Sequence, residues 1–296
     1  MISTRRFSAH VAILAILTTS AHAATWSVKN EPARLVNGSP VLITVKPPVP
    51  LTSLNGTLLG HSFSFSFDPK SKSWFALAGI NLETAPGKYP LLLSGESAVS
   101  KPSRAAGKLS FTRSLTVTRA KYPKIELSVE KKFTEPSPEE IKQIEEAQKV
   151  KKEYLSRVSL EKEWTGKFAA PADAAISDVF GTQRIFNGVA QSPHQGLDFR
   201  VPTGTPVAAM NEGTVLLARP LYFEGNFIVL DHGQGLLTLY LHLSEFKVKE
   251  GDRVTRGQII ALSGGTGRAT GPHLHVAVRW QGTYLDPAAL ITLPLP

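Results

Sequence analysis

Between residues 24 and about 120 the chain reads as short apolar runs broken by turn-forming clusters. Val41-Leu42-Ile43-Thr44-Val45, Phe63-Ser64-Phe65-Ser66-Phe67, Tyr89-Pro90-Leu91-Leu92-Leu93 and Leu115-Thr116-Val117-Thr118 are β-branched, aromatic or strictly alternating. Gly, Pro, Asn, Ser and Asp separate them, which predicts strands and turns rather than helices. At period two, Phe63, Phe65 and Phe67 are expected to share one face of a strand and to fill a core. Repeated short strands with regular turn signals predict a small, immunoglobulin-like β-sandwich over residues 24–120.

The pattern changes at Pro136. Ser137-Pro138-Glu139-Glu140 has the marks of a helix start: a capping serine, proline in the first turn, and acids facing the positive end of the helix. Lys and Glu dominate the residues that follow, so residues 121–164 are expected to form a linker with a solvated connecting helix. From Phe168 onward strands return, now dense with glycine: Gly196-Leu197-Asp198-Phe199, Thr214 to Ala218, Phe227 to Leu230, Leu236 to Leu243, Ile259 to Leu262 and His275 to Trp280. No stretch here is long and periodic enough for a sizeable helix, which predicts an antiparallel β domain over residues 165–296. The chain is thus expected to be mainly β.

Composition narrows the class. Arg5-Arg6, the apolar run Val11 to Leu17 and the small residues around Ala21-His22-Ala23 predict a cleaved export signal over residues 1–23, too short to span a bilayer comfortably. No later stretch is apolar enough to cross a membrane. The chain has no cysteine, which removes disulfides, thiolate ligands and a lipidated cysteine from consideration. Residues 24–119 carry 11 Lys and Arg against 4 Asp and Glu, while residues 120–164 and 165–296 are each balanced at 10 against 10. The excess positive charge therefore belongs to the N-terminal part, where it fits either attraction to an anionic envelope polymer or simple solubility. Nucleic acid is a poor partner for an exported chain without a basic-aromatic patch.

Histidine placement is the strongest chemical signal. Five of the eight histidines, His194, His232, His242, His273 and His275, crowd into the last third beside Asp198. In His273-Leu274-His275, residues two apart on a strand face one side about 7 Å apart, with Leu274 turned to the opposite layer. In His194-x-x-x-Asp198, Gly196 and the β-prone run after it argue against a helix. His194 is therefore expected in a loop and Asp198 at the start of a strand, both within reach of one ion. Tyr240-Leu241-His242 supplies a third element, again read with residues i and i+2 on one face. Imidazole and carboxylate suit zinc, and three protein ligands leave one position open. Spacing alone does not decide whether His273 or His275 is a ligand. His232, beside a Gly-Gln-Gly turn, reads as structural; Tyr240 either positions substrate or packs, and Arg184 and Asn187 are placed where they could line a groove.

Taken together, His194-x-x-x-Asp198, Tyr240-x-His242-Leu243 and Gly271-Pro272-His273-Leu274-His275 resemble the signature set of lysostaphin/LytM-type zinc endopeptidases of the cell wall. Phe180-Gly181, Gly204-Thr205-Pro206-Val207, Asp231-His232-Gly233 and Gly264-Gly265-Thr266-Gly267 extend the resemblance over about residues 165–290. The resemblance implies one zinc ion held by His194, Asp198 and His275, with His242 and His273 as catalytic non-ligand histidines. It also implies an exported, periplasmic or secreted protein that hydrolyses peptidoglycan stem peptides or cross-bridges through a metal-activated water. An alternative is a LytM-like module that has lost catalysis and activates other wall hydrolases; the filled ligand positions speak against it. A third and weaker reading is an adhesion or structural protein built on the N-terminal sandwich. The family includes enzymes for glycyl bridges and for direct D-alanyl-diamino-acid cross-links; the absence of a wall-targeting repeat favours the latter.

Overall fold

The computed structural model describes residues 25–97, 107–127, 135–186 and 188–296; the expected export signal and Asn187 lie outside the described residues. The chain is mainly β, its described residues forming four sheets. Two of them form the N-terminal part. Strands Ser27–Glu31, Pro40–Lys46, Ser73–Gly79 and Ser66–Asp68 make a four-stranded antiparallel sheet. It packs against a five-stranded sheet built on the long pair Gly87–Ser97 and Lys108–Thr118.

Strand Ser73–Gly79 is buried at every position, as expected for a strand covered on both faces. Phe75 meets Trp164 edge-on, and a side chain added at Gly79 would strike Leu285 and Trp280. The N-terminal sheets thus share one continuous apolar core with the C-terminal part. The phenylalanine stripe is only partly internal. Phe63 and Phe65 are buried, but Phe67 is 51% exposed. The strand breaks at Phe65: His61–Ser64 belongs to the five-stranded sheet and Ser66–Asp68 to the four-stranded one. Changing sheets resets the alternation, and Phe67 ends on the outside against Trp74.

The helix runs from Pro138 to Leu155 with the expected capping box, Ser137 and Glu140 each bonding the other's backbone N–H. It is not wholly solvated, as the charge pattern suggested. Ala147 and Leu155 are buried, and Leu155, Val150 and Tyr154 pack on Leu217, Phe227, Val229 and Leu239. A narrow apolar edge is enough to dock a helix when a sheet offers an uncovered face. The linker also holds a strand that its sequence did not announce: Lys124–Leu127 pairs in parallel with Gln183–Phe186. Among the described residues, no helix is long and apolar enough to cross a membrane.

The C-terminal part is a ten-stranded antiparallel sheet whose centre is Leu197–Phe199, Leu274–Trp280, Leu236–Phe246, Gly225–Asp231 and Gly213–Leu221. One face buries Tyr240, Val276, Val278, Ile228 and Leu230 in the shared core. The other carries Leu239, Leu241, His275 and Ala277 and opens into a groove. His232 lies on the core side, fully buried, its Nδ1 2.6 Å from the Glu212 carbonyl, its Nε2 2.8 Å from Thr238 Oγ1 and its ring against Phe168. It is structural, as read from sequence. Burial lowers its pKa to about 4, against the opposing pull of the Glu212 carbonyl bond. An unfolded histidine titrates near 6.5, so between these values the unfolded chain binds the extra proton. This contribution is complete above about pH 6.5 and fades as pH falls toward 4, up to about 3 kcal/mol. Tm should therefore drop between pH 7 and pH 4, and less steeply in His232→Gln; equal slopes in thermal melts would exclude His232 as the source.

Candidate metal centre and groove

The groove holds about 870 Å³ and is lined by residues of the sheet, of the loops around 191–195 and 268–273, and of the linker, through Ile125 and Lys151. His194, Asp198 and His275 meet at its floor. The register of two antiparallel strands sets Asp198 directly opposite His275, and His194 enters from a loop. That loop is pinned by two backbone bonds, His194 N–H to the Thr182 carbonyl and Gly181 N–H to the His194 carbonyl, both 2.8 Å. Gly196 is required where the loop crosses the strand. A Cβ there would stand 2.4 Å from His275 Nε2 and 2.6 Å from the Val276 carbonyl.

Three atoms converge. His194 Nε2 is 3.0 Å from His275 Nδ1 and 3.1 Å from Asp198 Oδ1, and His275 Nδ1 is 2.7 Å from the same oxygen. A tetrahedral ion with bonds of about 2.0–2.1 Å sets its ligand atoms about 3.3 Å apart, so this triangle fits zinc with a small expansion. The tautomer fits too. His194 Nδ1–H donates to the Val179 carbonyl at 3.0 Å, which leaves the Nε2 lone pair aimed at the centre, an arrangement common behind metal-bound histidines. Burial pushes the Asp198 carboxyl upward, but the His275 and His194 imidazoles beside it prevail and hold it well below the usual carboxylate range. Burial lowers the His275 pKa, with the Asp198 carboxylate opposing. The cluster thus offers imidazole nitrogen and a charged carboxylate oxygen, donors that zinc accepts. The three side chains form a possible metal-holding group on distance alone.

His242 and His273 stand beside this triangle, their rings 4.7 Å apart, with His242 6.1 Å from His275. Leu274, between His273 and His275, is buried in the opposite layer, as the alternation required. His242 reaches the groove differently from the sequence expectation. Tyr240 and His242 do not share a face. Tyr240 is fully buried on the core side, where its hydroxyl accepts from Met210 N–H at 2.9 Å and bonds Thr238; it does not touch the groove. A β-bulge shifts the register around His242, whose φ is +61°, and the extra residue turns the side chain to the groove face. A left-handed non-glycine residue costs on the order of 1–3 kcal/mol. Two bonds hold it there: its N–H donates to the Glu224 carbonyl and its Nδ1–H to the Thr266 carbonyl, both 2.8 Å. Burial, then the nearby His275 and His273, lowers its pKa to about 3, so the ring is neutral with Nε2 free.

Arg184 plays a larger part than its place before His194 suggested. Its guanidinium bonds Asp178 Oδ2 through Nε at 2.9 Å and Nη2 at 2.6 Å, and Asp198 Oδ2 through Nη2 at 2.6 Å. It fixes the Asp198 carboxylate so that Oδ1 alone faces the centre. Sequence reading missed Asp178 in this role, and spacing offered no signal for it. Replacing Arg184 by Met should lower zinc affinity about 10- to 100-fold while His194 and His275 stay in place; competition with a chromogenic chelator measures it.

Residues 192–287 match Peptidase family M23. The chain is 52% identical over 101 residues to a peptidoglycan DD-endopeptidase, ShyA, of Vibrio cholerae, covering 34% of this chain and 24% of that protein. It is 41% identical over 103 residues to a DD-carboxypeptidase/endopeptidase, Mpg, of Neisseria meningitidis, covering 35% and 24%. The chain thus spans about a quarter of the length of these curated relatives. In fold it is similar to the crystal structure of a putative peptidase M23 from Pseudomonas aeruginosa, with a TM-score of 0.64 and 29% identity over 87% of this chain and 95% of that one. The histidine-aspartate cluster of the groove falls inside the segment, residues 192–287, that matches Peptidase family M23.

Proposed function

We propose that this protein is a zinc endopeptidase that hydrolyses peptide cross-links of bacterial peptidoglycan, with His194, Asp198 and His275 as the metal ligands. The convergence of these three donor atoms at the floor of an open groove, with His242 and His273 beside them, carries the reading. A zinc ion there supplies Lewis acidity toward a carbonyl and a water nucleophile competent at neutral pH. The chain's own residues do the rest. Arg184 holds Asp198 in its ligating orientation. His242, neutral and tied through Nδ1–H to Thr266, presents Nε2 as the acceptor for the attacking water's proton. His273, half-exposed at the groove's rim with Nδ1 2.9 Å from the Gly271 carbonyl, serves the leaving amine.

In this reading residues 1–23 direct export, residues 24–120 form an N-terminal unit, residues 121–164 a connector, and residues 165–296 the peptidase unit in the envelope. The name of the Vibrio relative, a peptidoglycan DD-endopeptidase, supports a peptidoglycan substrate. The positive charge of residues 24–119 supports attachment to anionic envelope polymer, and Ile125 and Lys151 in the groove lining support partial covering of the site by the connector.

Metal analysis combined with digestion of purified peptidoglycan tests the proposal. His194→Ala, Asp198→Ala and His275→Ala should lose both zinc and turnover. His242→Ala and His273→Ala should keep zinc and lose about 10²- to 10⁴-fold in turnover. Chelation should abolish hydrolysis in the wild type and added zinc restore it. Full zinc content without any released muropeptide in mass spectrometry would instead support a non-catalytic activator of other wall hydrolases.

A further inference from the structure

Four cationic side chains line the groove: Lys151, Arg184, Arg200 and Arg268. Lys151 is paired with Glu224 at 2.5 Å, and Arg184 with Asp178 and Asp198 at 2.6 Å. Arg200 is exposed to solvent. Arg268 differs from all three. It is half-buried, and no described residue forms an ion pair or side-chain hydrogen bond with its guanidinium. Instead the group lies over aromatic rings, 4.4 Å from the centre of Phe223 and 5.5 Å from that of Phe186.

Its position is fixed by backbone. Arg268 N–H donates to the Phe223 carbonyl at 2.9 Å. Gly267, at φ +72°, lets the loop pass so close that a Cβ there would stand 2.3 Å from Gly225 N. Two residues earlier, Thr266 gives its carbonyl to His242 Nδ1–H, and its hydroxyl accepts from Asn226 N–H at 2.9 Å and donates to the Leu243 carbonyl at 2.8 Å. The segment that anchors His242 therefore also aims Arg268 into the same groove. Burial lowers the Arg268 pKa, the Glu224 carboxylate opposes this, and Arg184 adds to it. A planar cation held over aromatic rings, its donors bonded by no described side chain, is the form of a carboxylate receptor.

We infer that Arg268 binds a free carboxylate of the substrate next to the cleaved amide, and so selects direct cross-links to a diamino diacid over glycyl bridges. The inference rests on the proposed endopeptidase reading. When D-alanine is joined to the second amine of a diamino diacid, the carbon bearing the amide nitrogen also carries a carboxylate. A glycyl bridge has none at that place. Arg268 thus reads the leaving-amine side of the bond, and it acts as a specificity residue.

The test compares two dimeric muropeptides that differ only in whether this carboxylate is free or amidated, together with their two product monomers as binding probes on the zinc-loaded full chain. Wild type should prefer the free acid about 10- to 100-fold in kcat/KM and in product affinity, as expected for one charge-assisted contact. Arg268→Gln should bring both ratios close to one at unchanged zinc content. Arg268→Lys, which keeps charge without the planar fork, should give an intermediate ratio. Equal treatment of the two substrates by wild type, or a ratio that survives in Arg268→Gln, overturns the inference. Cleavage without discrimination sinks this inference and leaves the endopeptidase reading; Arg268-dependent product discrimination without cleavage does the reverse.

Discussion

The groove depends on one cross-strand pair. Asp198 faces His275 across an antiparallel ladder, and a buried carboxylate there is tolerable only because imidazoles and the Arg184 guanidinium surround it. A carboxylate stripped of these partners at that depth would cost several kcal/mol. Much of the local architecture serves the pair: the bare backbone of Gly196, the pinned loop of His194, and the strand Gln183–Phe186 that delivers Arg184.

That last strand ties the site to the rest of the chain. Gln183–Phe186 pairs with Lys124–Leu127 from the linker, and the helix Pro138–Leu155 packs on the groove face, with Lys151 bonded to Glu224. Glu224 in turn gives its carbonyl to the His242 N–H. The connector is therefore part of the groove's wall. The N-terminal sheets are equally bound in, since Phe75 meets Trp164 and Phe63 meets Trp280 within a common core. Removing residues 24–160 would expose that core, so point changes at the groove are cleaner probes than truncation.

The groove's two histidine pairs are set by different physics. His194 and His275 are placed by ordinary loop and strand geometry around a charged oxygen. His242 is placed against preference, by a bulge and a positive φ that two carbonyl hydrogen bonds sustain. A side chain on the core face of a regular strand would have joined Tyr240, which is indeed buried there. Backbone strain concentrated at such a position is common where a group must be aimed rather than packed.

Local patterns determined much of this. Apolar, β-strand-prone runs marked the strands from Val41 to Val45 and from Leu236 to Leu243; Ser137 through Glu140 marked the helix start; Gly196 placed His194 in a loop ahead of an Asp198 strand. The His-x-x-x-Asp and His-x-His spacings, with the family resemblance they carry, pointed to five candidate residues, and the fold brings all five side chains to one groove. What depended on partners far along the chain was hidden. The break at Phe65 that exposes Phe67, the docking of a highly charged helix, the bulge that separates His242 from Tyr240, and the bonds from Arg184 to Asp178 and Asp198 all depend on which strand lies beside which. Periodicity describes one segment and its two faces; it carries no record of the neighbour that covers a face, shifts a register or supplies the opposite charge.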